Sequence, residues 1–222
     1  MSAIALSSEK PTLQREIALF EQGYHFVAGL DEAGRGAWAG PVVAAAVILP
    51  LAQPELSEQL AGLNDSKKLS PSTREHFFDL IKKTAIAVAV GMASPQLVDE
   101  VNVLEATRRA MQQAVAQLAI PAQYLLLDHV KLSALSLPQQ AFPKADTLSM
   151  TVAAASIIAK VTRDRLMVQL NEVHPGYRFD RHKGYGTAIH RAALTALGPC
   201  LSHRISYKPL QLLTRERVIT NA

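Results

Sequence analysis

The stretch VAGLDEAGRGAWAGPVVAAAVIL, residues 27 to 49, narrows the possible folds of this chain more than any other. Pro41 to Leu49 is rich in valine and isoleucine and reads as a buried strand. Tyr24 to Asp31 reads as the strand before it, and a glycine-rich turn joins the two. The first strand ends in adjacent carboxylates, Asp31 and Glu32, followed by Gly34-Arg35-Gly36. Carboxylates at the end of a buried strand are costly to desolvate, so they must be solvated, paired or holding a cation. The glycines allow positive φ and let backbone N–H groups approach a ligand closely.

The rest of the chain extends this start into an α/β pattern. Pro11 to Gln22 predicts a helix with Leu13, Ile17 and Phe20 on one face and Gly23 as its stop. Ser70-Pro71 and Ser94-Pro95 each pair an N-cap with proline at the first helical position. The first opens a helix to about Lys83, and Asn102 to Leu118 forms a longer amphipathic one. Ile86 to Met92, Tyr124 to Asp128 and Ala141 to Asp146 read as further strands. Ser149 to Val173 reads as a long alanine-rich core helix stopped before Pro175, and Thr187 to Leu197 as the last helix. Residues 1 to 10 read as a loose end, 63 to 70 and 178 to 187 as loops, and the C-terminus as an irregular tail. Strands first, then alternating helix and strand, predict a sheet of mixed direction flanked by helices.

Ligands gather at strand ends in such sheets. Asp31, Asp128 and Asp146 each close an apolar strand in this reading, and with Glu32 they make an oxygen-rich set suited to Mg²⁺ or Mn²⁺. Pairs of such ions about 4 Å apart run in-line phosphoryl displacement.

Composition limits the alternatives. A net charge of +4 permits a nucleic-acid partner without establishing one. A single cysteine, Cys200, excludes an internal disulfide and a cysteine-based zinc site; its default role is a small buried apolar residue. Apolar runs such as 42 to 49 and 152 to 159 fall short of the roughly 20 residues of a membrane span, and no leader pattern precedes them, so a cytoplasmic protein is expected. GRGAWA fits a dinucleotide fingerprint, which must open a helix; the strand after Pro41 argues against it. Taken alone, Asp31-Glu32 is an ordinary turn pair, Lys67-Lys68 a solvated loop, Asp164-Arg165 a surface or capping pair, and Trp38 a ring packed against the hairpin.

The motifs VAGLDEAGRG (27–36), LNDSKKLS (63–70), AAASIIAKVTRD (153–164) and HKGYGT (182–187) together resemble ribonuclease HII, the bacterial type 2 ribonuclease H. They cover most of residues 27 to 207. The resemblance implies a ribonuclease H-like mixed sheet over residues 1–172, including the helix at 11–22, and a small helical C-terminal extension over 173–222 that contacts substrate. It places the metal-binding, catalytic carboxylates at Asp31, Glu32, Asp128 and Asp146. Gly34, Arg35 and Gly36 fall on the surface sensing a ribose 2′-hydroxyl, Tyr185 on the residue stacking against the neighbouring sugar, and Ser66, Lys67, Lys68 and Lys183 on phosphate contacts. The implied activity is endonucleolytic cleavage of the RNA strand of RNA/DNA hybrids and at single ribonucleotides in duplex DNA. It would use two Mg²⁺ or Mn²⁺ ions, on a monomeric protein. The competing readings are another nuclease of this fold acting on DNA, and a nucleic-acid-binding module without catalysis. The chain departs from the family in three places: Ala145 where glycine usually precedes the fourth acid, His129 where glycine commonly follows the third, and Tyr207 where phenylalanine is usual.

Overall fold

The computed structural model describes residues 10–213; most of the expected loose end at 1–10 and the last part of the tail lie outside the described residues. The elements in chain order are α1 (Gln14–Glu21), β1 (Val27–Ala33), β2 (Val42–Ile48), α2 (Leu56–Gln59), α3 (Pro71–Thr84), β3 (Ala87–Ala93), α4 (Pro95–Val101) and α5 (Val103–Ala116). They continue with β4 (Tyr124–Asp128), β5 (Gln139–Phe142), α6 (Met150–Val173), α7 (Phe179–His182) and α8 (Ala188–Leu197). The five strands form one sheet in the order β3-β2-β1-β4-β5. The β1–β2 and β2–β3 pairs are antiparallel, and the β1–β4 and β4–β5 pairs are parallel. The glycine-rich turn therefore joins two antiparallel neighbours.

Strand β2 is buried along its whole length, because helices cover both faces of the sheet. On one face α5 packs through Ala110 and Met111 onto Ala28, Leu30, Ala44, Leu125 and Leu127. On the other, α3 and α6 bring Phe77, Ile157 and Ile158 onto Ala45 and Val47. The alanines of α6 let the helix lie close, and Gly29 completes the fit: a Cβ there would stand 2.4 Å from the Thr151 carbonyl carbon. Among the described residues no helix is long and apolar enough to cross a membrane.

The two serine–proline starts act as N-caps. Ser70 Oγ accepts from Thr73 N–H and Ser94 Oγ from Leu97 N–H, both at 3.1 Å. Elsewhere the structure corrects the reading. The strand expected to run to Asp146 ends at Phe142, since Pro143 has no N–H for the ladder; Asp146 lies instead in a 3₁₀ turn, Ala145–Thr147. The loop at 178–187 contains α7, and residues 208–213 are helical rather than irregular. Trp38 packs with Ala39, Met167 and Phe179, its ring centroid 5.7 Å from that of His190 and 5.3 Å from the Arg191 guanidinium. Asp164 and Arg165 do not pair with each other but with Lys160 and Glu75. Cys200 is half-buried.

The buried face of α1 is not its Leu13-Ile17-Phe20 face. It is formed by Glu16 and Leu19, while Ile17 is exposed. Fully buried Glu16 accepts from Ser149 Oγ at 2.6 Å and from Thr151 N–H at 2.9 Å, pinning α1 to the first turn of α6. Truncating Glu16 strands both donors, so Glu16→Ala is expected to cost about 2–3 kcal/mol in denaturant unfolding. Glu16→Gln, which keeps an acceptor, should cost less. Equal losses would show that the carboxylate contacts contribute little.

Candidate active site

The parallel register of β1 with β4 ends at the pair Leu30–Leu127, so Asp31 and Asp128 follow at the same level on neighbouring strands. The 3₁₀ turn bearing Asp146 is tied to them, because Ala145 N–H donates to Asp128 Oδ1 at 2.8 Å. Glu32 follows Asp31 and pairs with Arg35 at 3.2 Å through Oε1; its Oε2 is buried without a hydrogen-bond partner. Lys67 Nζ stands 3.9 Å from both Asp146 Oδ2 and Asp65 Oδ1. Three distant segments thus deliver four carboxylates to one end of the sheet, with Lys67 and a fifth acid, Asp65, beside them.

Their electrostatics follow from this crowding. Burial, then the charges of Glu32 and Asp128, hold the Asp31 carboxyl well above the usual carboxylate range. Burial, with Asp65 and Asp128, pushes Asp146 up to about 6. Burial also raises Glu32, with Arg35 offsetting part of the effect. For Lys67, burial acts downward but is outweighed by Asp65, Asp31, Asp146 and Asp128, so its ammonium is held above its ordinary value. Among the described residues, no three acidic, histidine or cysteine side chains already enclose a common point. The donor set fits a hard divalent cation nonetheless: all-oxygen ligands, mutually repelling, with one buried carboxylate oxygen unpartnered.

The turn beyond the acids is supported by two buried arginines. Gly34 has φ +93°, and a Cβ on it would sit 1.9 Å from Arg163 Nε. Arg163, fully buried, donates to the carbonyls of Pro41 (2.9 Å), Ala39 (3.0 Å) and Lys183 (2.9 Å), joining the turn to the 182–187 segment. Burial lowers its pKa to about 10, which leaves it charged at neutral pH. Arg204, also fully buried, donates to the Gly40 and Arg35 carbonyls.

The remaining expected contacts are placed unevenly. Tyr185 is exposed, its ring centroid 5.9 Å from Lys160 Nζ and 5.5 Å from Arg163 Cζ. The Lys183 ammonium donates to the Asp180 carbonyl. Ser66 is buried, its hydroxyl 2.8 Å from that of Ser156 on α6, while Lys67 and Lys68 are exposed. Behind Tyr185 lies a histidine relay. The Cys200 N–H donates to His203 Nδ1 at 2.9 Å, His203 Nε2 lies 3.0 Å from His190 Nε2, and His190 Nδ1 lies 3.0 Å from the Tyr185 carbonyl. His182 stacks on His190 at 4.4 Å.

Asp65, Arg163 and Arg204 escaped the sequence reading. Asp65 and Arg163 lie within the quoted motifs and Arg204 in HRISYKP (203–209), but nothing local marks an arginine whose partners are backbone carbonyls 20 to 169 residues away. The departures also find a structural context. His129 has φ +58°, a conformation that glycine adopts without strain. Ala145 is buried and needs no positive φ.

A family model described as Ribonuclease HII matches residues 28–210. The ribonuclease HII of Geotalea uraniireducens (strain Rf4) is 51% identical over 208 residues, 93% of this chain and 94% of that protein. That of Geobacter metallireducens is 53% identical over 186 residues, 84% of this chain and 85% of its own length. The crystal structure of ribonuclease H2 from Pyrococcus horikoshii OT3 superposes with a TM-score of 0.70 at 26% identity, covering 86% of this chain and 97% of that one. The motifs, the mixed sheet and this match over most of its length agree, and the chain belongs to the ribonuclease HII family of metal-dependent endoribonucleases.

Proposed function

We propose that the protein hydrolyses the RNA strand of RNA/DNA hybrids and incises duplex DNA at single ribonucleotides, leaving 3′-hydroxyl and 5′-phosphate ends. The observation that carries this reading is the meeting of Asp31, Glu32, Asp128 and Asp146 beside the exposed backbone of Gly36. These carboxylates would hold two divalent cations, Mg²⁺ or Mn²⁺. Bound there, the cations would lower the pKa of the attacking water and neutralise charge on the leaving 3′ oxygen.

The chain's own groups do the rest. Asp31, the most buried of the four and flanked by Glu32 and Asp128, would serve both cations. Backbone groups of Gly34, Arg35 and Gly36 test for the 2′-hydroxyl, the one group distinguishing ribose from deoxyribose. Tyr185 packs against the neighbouring sugar. Lys67, Lys68, Lys183 and Ser66 hold phosphates, which fixes register without reading base identity. Residues 173–222 form the substrate-contacting extension to a catalytic domain over 1–172. In this reading the protein acts as a monomer in the cytoplasm.

One assay tests the reading. The protein is incubated with a duplex carrying one ribonucleotide, an all-DNA duplex and an RNA/DNA hybrid, with and without Mn²⁺. Metal-dependent cutting of the first and third is expected. Cutting of the all-DNA duplex would favour a DNA nuclease, and salt-sensitive binding without turnover would leave only a binding module.

A further inference from the structure

The Arg35–Gly36 peptide is gripped from behind. Its carbonyl oxygen accepts from Arg204 Nη1 at 2.9 Å and from the Tyr207 hydroxyl at 2.6 Å, and the same Nη1 lies 3.0 Å from the Tyr207 oxygen. Two donors occupy both lone pairs of a carbonyl oxygen. Their anchors are firm. Arg204 is fully buried and also donates twice to the Gly40 carbonyl, its guanidinium 5.4 Å from the Tyr207 ring centroid, and Tyr207 packs against the core on the α5 face.

The front of the same peptide is open. A trans peptide is planar, with N–H directed opposite to C=O, and no cis bond occurs among the described residues. A carbonyl turned inward therefore sends the Gly36 N–H outward. Gly36 is exposed, a Cβ built on it meets nothing within 4 Å, and its N–H has no backbone acceptor among the described residues. Donors on the carbonyl also polarise the amide and strengthen its N–H as a donor.

We propose that Tyr207 is a positioning residue for ribose selectivity: with Arg204 it fixes the Arg35–Gly36 peptide so that the Gly36 N–H meets the 2′ oxygen that deoxyribose lacks. The inference rests on reading residues 34–36 as the ribose sensor. It gives the departure from phenylalanine a consequence, since phenylalanine would keep the ring and lose the bond to the sensor.

The test is Tyr207→Phe, which removes one hydroxyl and leaves the packing. Dissociation constants are measured for a duplex with one ribonucleotide and for its all-DNA counterpart, with Ca²⁺ replacing Mg²⁺ so that the strand stays intact; kcat and KM on the cleavable duplex are measured with Mg²⁺. The loss of one net hydrogen bond predicts that the wild-type preference for the ribonucleotide duplex shrinks roughly three- to tenfold, with all-DNA affinity unchanged. The kcat should fall more than KM rises. An unchanged preference, whether both affinities hold or both weaken equally, overturns the role of Tyr207. A wild-type protein without any preference overturns the sensor reading itself and this inference with it, so the two failures are told apart by the wild-type control.

Discussion

Asp31→Asn is expected to reduce cleavage by at least about 10³-fold while making the metal-free protein more stable. The loss of activity follows from removing the carboxylate that sits between its neighbours, since several kcal/mol of transition-state stabilisation depend on the cations it would hold. The gain in stability follows from the same crowding. Asp31 is buried beside Glu32 and Asp128, and its folded-state pKa lies well above the unfolded value. A carboxyl of this kind contributes most to stability below its unfolded pKa, and the contribution is lost as pH rises through the folded value. Asparagine removes that penalty, so the variant should melt higher at pH 8 by an amount on the order of 1 kcal/mol, and the difference should narrow toward pH 4. Thermal melts in EDTA, set beside cleavage assays in Mn²⁺, check both halves. A variant that cuts at the wild-type rate would remove Asp31 from the chemistry.

The buried histidines set a second large effect, of opposite sign. Burial pushes both His190 and His203 down to about 4, with neighbouring imidazoles adding to the shift. The relay accommodates only neutral rings: with Cys200 N–H donating to His203 Nδ1, the shared proton sits on His203 Nε2 and His190 accepts it. Protonating His190 puts two N–H groups face to face at 3.0 Å. A base with a depressed folded pKa contributes stability that is present above its unfolded pKa and is lost as pH falls through the folded one. The window therefore runs from about 6.5 down to about 4, and the loss should reach several kcal/mol. A saturating divalent cation, held by the acids, would suppress their opposing contribution in unfolding measurements. Imidazole NMR titration gives the direct readout: both rings should stay neutral until the protein unfolds, and ordinary titration near 6.5 in a folded protein would refute the relay.

Local signals in the sequence carried the reading far. Ser70-Pro71 and Ser94-Pro95 announce helices because capping is settled within four residues. The Val-Ile run of β2 announces a strand buried on both faces. Asp31 and Asp128 could be placed at strand ends because each follows an apolar run directly. The reading failed where the decisive partner is remote. Glu16 is buried on what looks like a polar position because its acceptor role is set by Ser149 and Thr151, more than 130 residues away. Arg163 looks no different from Arg165 until the carbonyls of 39, 41 and 183 surround it. Asp146 follows an apolar run that suggests a strand, but Pro143 breaks the ladder before it.

Helix α6 ties these remote pieces together through its length alone. Its first turn is fixed by Glu16 next to the Asp146 turn, and thirteen residues past Met150, Arg163 clasps the glycine-rich turn and the 182–187 segment. One inserted or deleted residue between them would shift everything beyond by about 1.5 Å and swing it about 100° around the axis, carrying Arg163 away from all three carbonyls. Surface loops absorb such length changes easily, whereas here an in-frame codon gained or lost would be more damaging than most substitutions, so the spacing between these two anchors is itself part of what the gene encodes.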